Sequence, residues 1–184
     1  MQTTEVTQQQ WQEIMGDNPS EFAGCSKCPV ERVSWYEVNQ FINKLNKNQS
    51  RKYRLPTEAE WEYVCRAGKN TAFAYGNSLY DSQAIISNNY SRPQIVASLT
   101  PNAWGVYDMH GNVNEWCTDW YGNYSKRSAT DPVGHSSSTN RKITRGGGWN
   151  DQAKYCRCGN RSRVKPDLGD ANNNIGFRLV MTSE

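Results

Sequence analysis

The feature that most constrains this chain is a pair of helix-start signals confined to its first third. Ser34-Trp-Tyr-Glu37 has the Ser-x-x-Glu spacing of a capping box, in which each side chain satisfies a backbone N–H that the helix start leaves without a partner. Val38, Phe41, Ile42 and Leu45 follow at i, i+3, i+4 and i+7, one apolar face of an amphipathic helix. Thr57-Glu-Ala-Glu60 repeats the device just after Pro56. Trp61, Val64 and Cys65 supply its buried face, and Gly68 is the stop signal. A shorter helix around Thr7 to Met15 would bury Trp11, Ile14 and Met15.

After Gly68 that periodicity ends. Ala72–Tyr75, Trp104–Tyr107 and Asn114–Trp120 are short aromatic stretches separated by turn residues, and 125–140 is a polar, Ser-rich surface loop. Ile143–Arg145 and Gly176–Met181 read as strands flanking a long irregular excursion. Helices first and irregular, aromatic-rich β structure later predict an α+β chain, loop-rich, with residues 1–184 forming one domain.

Composition narrows the function classes. Hydrophobic content is 36%, low for a helical bundle, and seven Trp with ten Tyr supply much of the core. The net charge of +3 comes without any Lys/Arg run that could track phosphates, so nucleic acid is not an expected partner. Arg157, Arg161, Arg163 and Lys165 are interleaved with Asp167 and Asp170 and read as a solvated, mixed-charge face. No stretch approaches the roughly 18 apolar residues of a membrane span. The first residues lack the apolar core of a secretory signal, which makes a cytoplasmic or virion-associated location the default expectation. Cys25 and Cys28 form a C-x2-C pair, but no second pair or His cluster completes a zinc site. A small turn with free or paired thiols is expected there.

The order of motifs carries a resemblance. Thr4-Glu-Val-Thr-Gln-Gln-Gln-Trp11 is followed by Pro29-Val-Glu-Arg-Val-Ser-Trp35 and Tyr53-Arg-Leu-Pro-Thr-Glu-Ala-Glu-Trp-Glu-Tyr63. Then come Trp104-Gly-Val-Tyr-Asp-Met-His-Gly-Asn-Val-Asn-Glu-Trp116, Arg145-Gly-Gly-Gly-Trp-Asn150 and Asn174-Ile-Gly-Phe-Arg178. Together they resemble the formylglycine-generating-enzyme/sulfatase-modifying domain, which implies its variant of the C-type lectin fold. The family usually has a strand region before the first motif. Here the chain begins at that motif, which reads as a minimal or truncated version. Much of the shared vocabulary has a scaffold reading: Arg54-Leu-Pro-Thr-Glu caps a helix, and the three glycines after Arg145 let neighbouring backbone approach.

The resemblance implies three candidate sites. Enzymes of this family bind calcium through positions matching Asp108, Gly111, Val113 and Glu115. Two carboxylates with backbone carbonyls and water could supply the oxygens a hard cation wants. The alternative is a loop whose carboxylates only cap backbone N–H groups. A second family calcium site needs an Asp-Gly-aromatic segment after the Asn88 region, which this chain lacks. Family enzymes also oxidise a substrate cysteine with two cysteines of the C-terminal segment, separated by four residues and served by copper. Here only Cys158 matches, and Cys156 precedes it by two, so oxidation chemistry would require both on one strand face.

The third site is a ligand-binding surface. Variable proteins of diversity-generating retroelements share this fold and end in a similar Gly-Gly-x-Trp…Asn-Asn-Asn-Ile-Gly-Phe-Arg segment. Adenine mutagenesis there converts Asn codons, and Asp151, Tyr155, Cys158, Gly159, Ser162, Val164, Leu168 and Asp170 belong to the reachable set, with Asn160, Asn172 and Asn173 as unchanged sites. Arg163 joins Tyr155, Val164 and Leu168 as an expected energetic anchor. An exposed Cys158 is part of this expectation. Separately, Trp116, Trp120, Tyr121 and Tyr124 could line a sugar pocket or simply fill the core; the core is the better reading, since fold alone does not imply carbohydrate binding. The sequence therefore favours a non-enzymatic display domain binding a protein or cell-surface ligand through about 150–174. A structural Ca2+ is expected, and a copper-dependent oxidase acting on cysteine peptides is the rival.

Overall fold

The computed structural model describes residues 1–47, 50–124, 129–134, 139–167 and 172–182. Among the described residues, three α-helices lie before Ala67: α1 (Gln8–Met15), α2 (Trp35–Asn46) and α3 (Glu58–Arg66). Each starts on a complete capping box, made by Thr7 with Gln10, Ser34 with Glu37, and Thr57 with Glu60. The first of these uses Gln rather than Glu at the third helical position, a variant the same rule allows. Helix α1 stops at Gly16, and α3 stops at Ala67, whose left-handed backbone is followed by a second positive φ at Gly68.

The β structure is short and divided. β1 (Tyr53–Arg54) pairs antiparallel with β6 (Val180–Met181). β2 (Asn114–Trp120), β3 (Lys142–Arg145), β4 (Ser162–Val164) and β5 (Ile175–Gly176) form a second sheet in the order β4-β3-β2-β5. β3 is antiparallel to both neighbours, and β5 runs parallel to β2. The strand expected from Gly176 to Met181 is thus two strands in two sheets. The residues between them are claimed from outside: Val6 N–H donates to the Phe177 carbonyl (2.9 Å) and Gln2 N–H to the Leu179 carbonyl (2.7 Å). This stitches the first residues of the chain along its last.

Two apolar clusters set the positions of everything that follows. In the first, Trp11 stacks on Phe41 with centroids 5.3 Å apart, and Phe177 meets both rings edge-on. In the second, Trp61 and Cys65 of α3 pack with Val106, Met109, Cys117, Ile143 and Cys158. Gly147 shows why the glycine run after Arg145 is needed. Its φ is +73°, and a Cβ there would lie 2.5 Å from the Cys156 sulfur. Cys25 and Cys28 are joined as a disulfide.

Candidate functional site

Three arginines bound or cross the C-terminal segment, and all three are anchors. Arg145 is fully buried. It pairs with Glu62, lies 3.6 Å from Glu58, and donates to the Asn160 carbonyl. Arg161 grips Glu58 in a two-pronged pair at 2.6 and 2.8 Å and donates to the Gly122 carbonyl. Arg178 grips Glu115 at 2.6 Å through each of two nitrogens, with both side chains fully buried. Bidentate guanidinium–carboxylate pairs are strong and directional, so these contacts fix the segment in place. The expected mixed-charge face is accordingly split: Arg157, Arg163 and Lys165 are exposed, whereas Arg161 belongs to the scaffold.

The expected recognition residues fall into three groups. Tyr155, Gly159 and Arg163 are exposed; Asn160, Ser162, Val164, Asn172 and Asn173 are half-buried. Ser162, Arg163 and Val164 form β4, the edge strand, with the Arg163 guanidinium over the Tyr121 ring and Val164 leaning on the first cluster. Asn173 donates to Glu21 (3.1 Å), and its carbonyl accepts from the Trp149 indole. Asp151, by contrast, is committed internally: its carboxylate accepts from Gly148 N–H (2.9 Å) and the Asn114 amide (3.2 Å). Cys158 is fully buried, which corrects the expectation of an exposed thiol. Its turn places it against Cys65 of α3 because its N–H is held by the Ala72 carbonyl (2.9 Å). Leu168 and Asp170 lie outside the described residues.

The loop from Asp108 to Glu115 already commits its carboxylates to protein partners. Both Glu115 oxygens are taken by the Arg178 guanidinium, and one also accepts the Trp61 indole N–H at 2.7 Å. A dication would have to compete with that guanidinium for its carboxylate. Asp108 accepts Ala97 N–H (2.8 Å), which together with the nearby Arg178 and Glu5 favours its charged form against burial. Burial first, then Asp108, push the Glu5 carboxyl well above the usual range, and burial also raises Asp108. Gly111 serves a close approach: its backbone is left-handed and a Cβ would collide with the Ile85 carbonyl. Val113 is buried against Gly176. A calcium ion at these positions would have to share the Glu115 carboxylate with Arg178.

The two C-terminal cysteines do not share a strand face either. Cys156 closes the 3-10 turn at Ala153–Tyr155 and packs with Ala84 and Ile86; Cys158 belongs to the Trp61 cluster. The copper pair expected from Cys156 and Cys158 does not fit this arrangement. What sequence reasoning missed is a different group. Cys65, His110 and Cys158 are all buried, and one ligand atom of each lies within 4.8 Å of the others. The Cys65 and Cys158 sulfurs stand 3.9 and 4.0 Å from His110 Nε2. A hydrogen bond from Cys65, reinforced by His110, pulls the Cys158 thiol down to about 5, whereas burial pushes Cys65 well up.

The aromatic set resolves as core and cation platform. Trp116 is buried with its indole N–H on the Val33 carbonyl (2.9 Å). Lys142 Nζ sits between the Trp35 and Trp120 rings, at 3.9 and 3.8 Å from their centroids. Arg161 lies over Tyr121 and Tyr124. Beside Tyr124 an open cleft of about 960 Å³ runs between α3 and residues 119–124 and 129–134, with Gly159 and Arg161 on its wall.

These features match known proteins along the whole length. The family model for the sulfatase-modifying factor enzyme 1-like domain matches residues 1–183. Mouse formylglycine-generating enzyme is 34% identical over 174 residues, covering 84% of this chain and 44% of that protein. The chaperone protein LppX of Paenibacillus barcinonensis is 31% identical, covering 79% of this chain and 67% of LppX. The Chlamydia caviae serine/threonine-protein kinase pkn1 is 37% identical over 163 residues, yet this chain spans only 24% of it. Among solved structures, Treponema denticola variable protein 1 superposes with a TM-score of 0.87 at 31% identity, covering 95% of this chain and 81% of the other. PvdO from Pseudomonas aeruginosa gives 0.81 at 26% identity, with 96% and 77% covered. The fold is α+β, the C-type lectin fold of the formylglycine-generating-enzyme type, and no helix among the described residues is long and apolar enough to cross a membrane. The chain belongs to the sulfatase-modifying factor enzyme 1-like domain family.

Proposed function

We propose that this chain is a non-catalytic ligand-binding domain of the variable-protein kind found in diversity-generating retroelements, displaying the exposed side chains of its C-terminal segment to a protein or cell-surface ligand. The observation that carries this reading is the division of labour within 151–167. Asp151, Cys156, Cys158 and Arg161 face inward and are bonded or buried, while Tyr155, Gly159, Arg163 and their charged neighbours face solvent. Side chains on a backbone so held can change without unfolding it, which is what a recognition surface requires. The likeness to Treponema denticola variable protein 1 supports the same reading. Tyr155, 46% exposed, is a rigid aromatic with a polar tip, the kind of anchor that recognition surfaces favour.

Under this reading the DNA beside the gene carries a near-duplicate of the coding segment for about 150–174 and a reverse transcriptase gene. Absence of both would remove the diversification part. The rival, copper-dependent oxidation of cysteine peptides, is tested directly by oxygen uptake with copper and a cysteine-containing peptide. Silence is expected; robust turnover abolished by Cys158→Ser would overturn the non-catalytic reading.

A further inference from the structure

Cys65, His110 and Cys158 belong neither to the displayed surface nor to the buried ion pairs. They come from three separate places: the last turns of α3, the loop before β2, and the turn after the 3-10 helix. We propose that these three side chains form a buried, structural site for a thiophilic d10 cation, Zn2+ or Cu+, that ties α3 to the segment beneath Tyr155 and Gly159. The donor set is soft, two sulfurs and one imidazole, as such ions select.

Distances support the assignment. Around one ion with metal–sulfur bonds of about 2.3 Å and metal–nitrogen bonds of about 2.0–2.1 Å, ligand atoms in a plane at 120° lie roughly 3.8–4.0 Å apart. The two sulfurs lie 3.9 and 4.0 Å from Nε2, and the three ligand atoms lie within 4.8 Å of one another. An ion therefore needs shifts of under about one ångström and the displacement of one hydrogen bond to Nε2. The imidazole is also oriented for it. Nδ1 lies 2.7 Å from the Cys156 carbonyl, so it carries the proton and leaves the Nε2 lone pair free to accept. That lone pair receives Ala74 N–H at 3.0 Å. Binding would exchange this neutral hydrogen bond for a coordinate bond. Metal–thiolate bonds are far stronger than one net hydrogen bond, so the exchange favours the ion.

All three residues are buried, so solvent-borne substrate has no direct access to the ion and its role is structural; with three protein donors, Zn2+ would take a fourth ligand such as water. Cys156 and Cys117 are also buried thiols but stand outside the group, and Cys25 and Cys28 are joined to each other. The site differs from the paired cysteines of one segment that the family resemblance implied.

The test uses the full chain, stripped of metal under reducing, anaerobic conditions and dialysed against Zn2+ or, separately, Cu+. About one equivalent retained is the expected result, and the arm that retains it identifies the ion. Co2+ in place of Zn2+ is expected to give a thiolate-to-cobalt charge-transfer band. Cys65→Ser, Cys158→Ser and His110→Gln should each weaken retention at least tenfold, whereas Cys156→Ser and a Cys25→Ser/Cys28→Ser double variant should keep it. Should the ligand variants fail to fold, X-ray absorption of the loaded wild type decides: two sulfurs and one nitrogen support the site. No retention of either ion, coordination by oxygen and nitrogen alone, or retention lost with Cys25 and Cys28 would overturn it.

Discussion

Two kinds of side chain share the stretch from Arg145 to Arg178, and they differ in what holds them. Inward-facing Arg145, Asp151, Arg161 and Arg178 each make charge-assisted bonds to partners far away in sequence. Outward-facing Tyr155 and Arg163 touch little beyond a neighbouring ring or chain: Lys154 over Tyr155, Arg163 over Tyr121. Among the described residues between Arg145 and Arg178, regular hydrogen-bond ladders are scarce: one 3-10 turn and two strands of three residues or fewer. The segment is therefore held by discrete side-chain anchors, and Tyr155, Gly159 and Arg163 between them carry little structural duty. A backbone built this way separates stability from recognition along a single stretch.

The hardest blow to that separation falls on Arg178. Arg178→Met leaves Glu115 buried without its counter-charge, with only the Trp61 indole to share. Breaking one side of a buried pair costs about 3–5 kcal/mol. Urea denaturation should show a loss of that order, or no folded protein at all. A loss below about 1 kcal/mol would mean that the anchor contributes no more than a surface pair, and the contrast would fail.

Lys142 comes next, because it lies under the edge strand that carries Arg163. It is 3% exposed, between two indole rings, and burial holds its ammonium down to about 8. The sign follows from proton counts. Between about 8 and the ordinary lysine value of 10.5 the folded chain has released this proton while the unfolded chain keeps it. Stability from this residue therefore rises with pH across that window, and below it the folded state carries a buried charge. Comparing wild type with Lys142→Met isolates the effect from thiols and phenols titrating nearby. The wild type should gain on the variant as pH climbs from 8 to 10; parallel curves would refute the burial argument. A smaller effect belongs to Asp151→Ala, which strips an acceptor from Gly148 N–H and Asn114. A loss of about 1–3 kcal/mol is expected in the same denaturation assay; a neutral result would move Asp151 back among the displayed residues.

What could be read from the sequence divides along the same physical line. Ser34 with Glu37 and Thr57 with Glu60 were legible because a capping box is a local rule, and the apolar faces of α2 and α3 follow the helical period. The Thr7–Gln10 box obeys the same rule and was there to be found. The Arg145-Gly-Gly-Gly and Gly-Phe-Arg178 motifs were legible as scaffold, but not their partners: Glu62 and Glu115 lie 83 and 63 residues away. Nor could any periodicity bring Cys65 to His110 and Cys158, which are 45 and 48 residues from His110. Cys65 was visible only as an apolar helix position. Cys158 was misplaced at the surface because turn residues carry no alternation from which to infer a face. The Asp108–Glu115 spacing has a related limit: it shows which carboxylates exist, not that Arg178 grips one of them.

The finest test of the contrast is a null effect on stability. Tyr155→Ala and Arg163→Ala should each change unfolding free energy by no more than about 0.5 kcal/mol, as surface substitutions without special contacts do. Gly159 extends the argument, since its backbone does not require glycine and a Cβ there would meet the Arg66 guanidinium at an ordinary 3.4 Å. A library randomised at Tyr155, Gly159 and Arg163 should thus yield mostly folded clones, judged by protease resistance on a display platform. One randomised at Asp151, Cys158 and Arg161 should yield few. Equal survival of the two libraries would erase the distinction between anchors and displayed positions. Collapse of the first library alone would assign Tyr155, Gly159 and Arg163 to the scaffold, leaving the C-terminal segment without a surface free to vary.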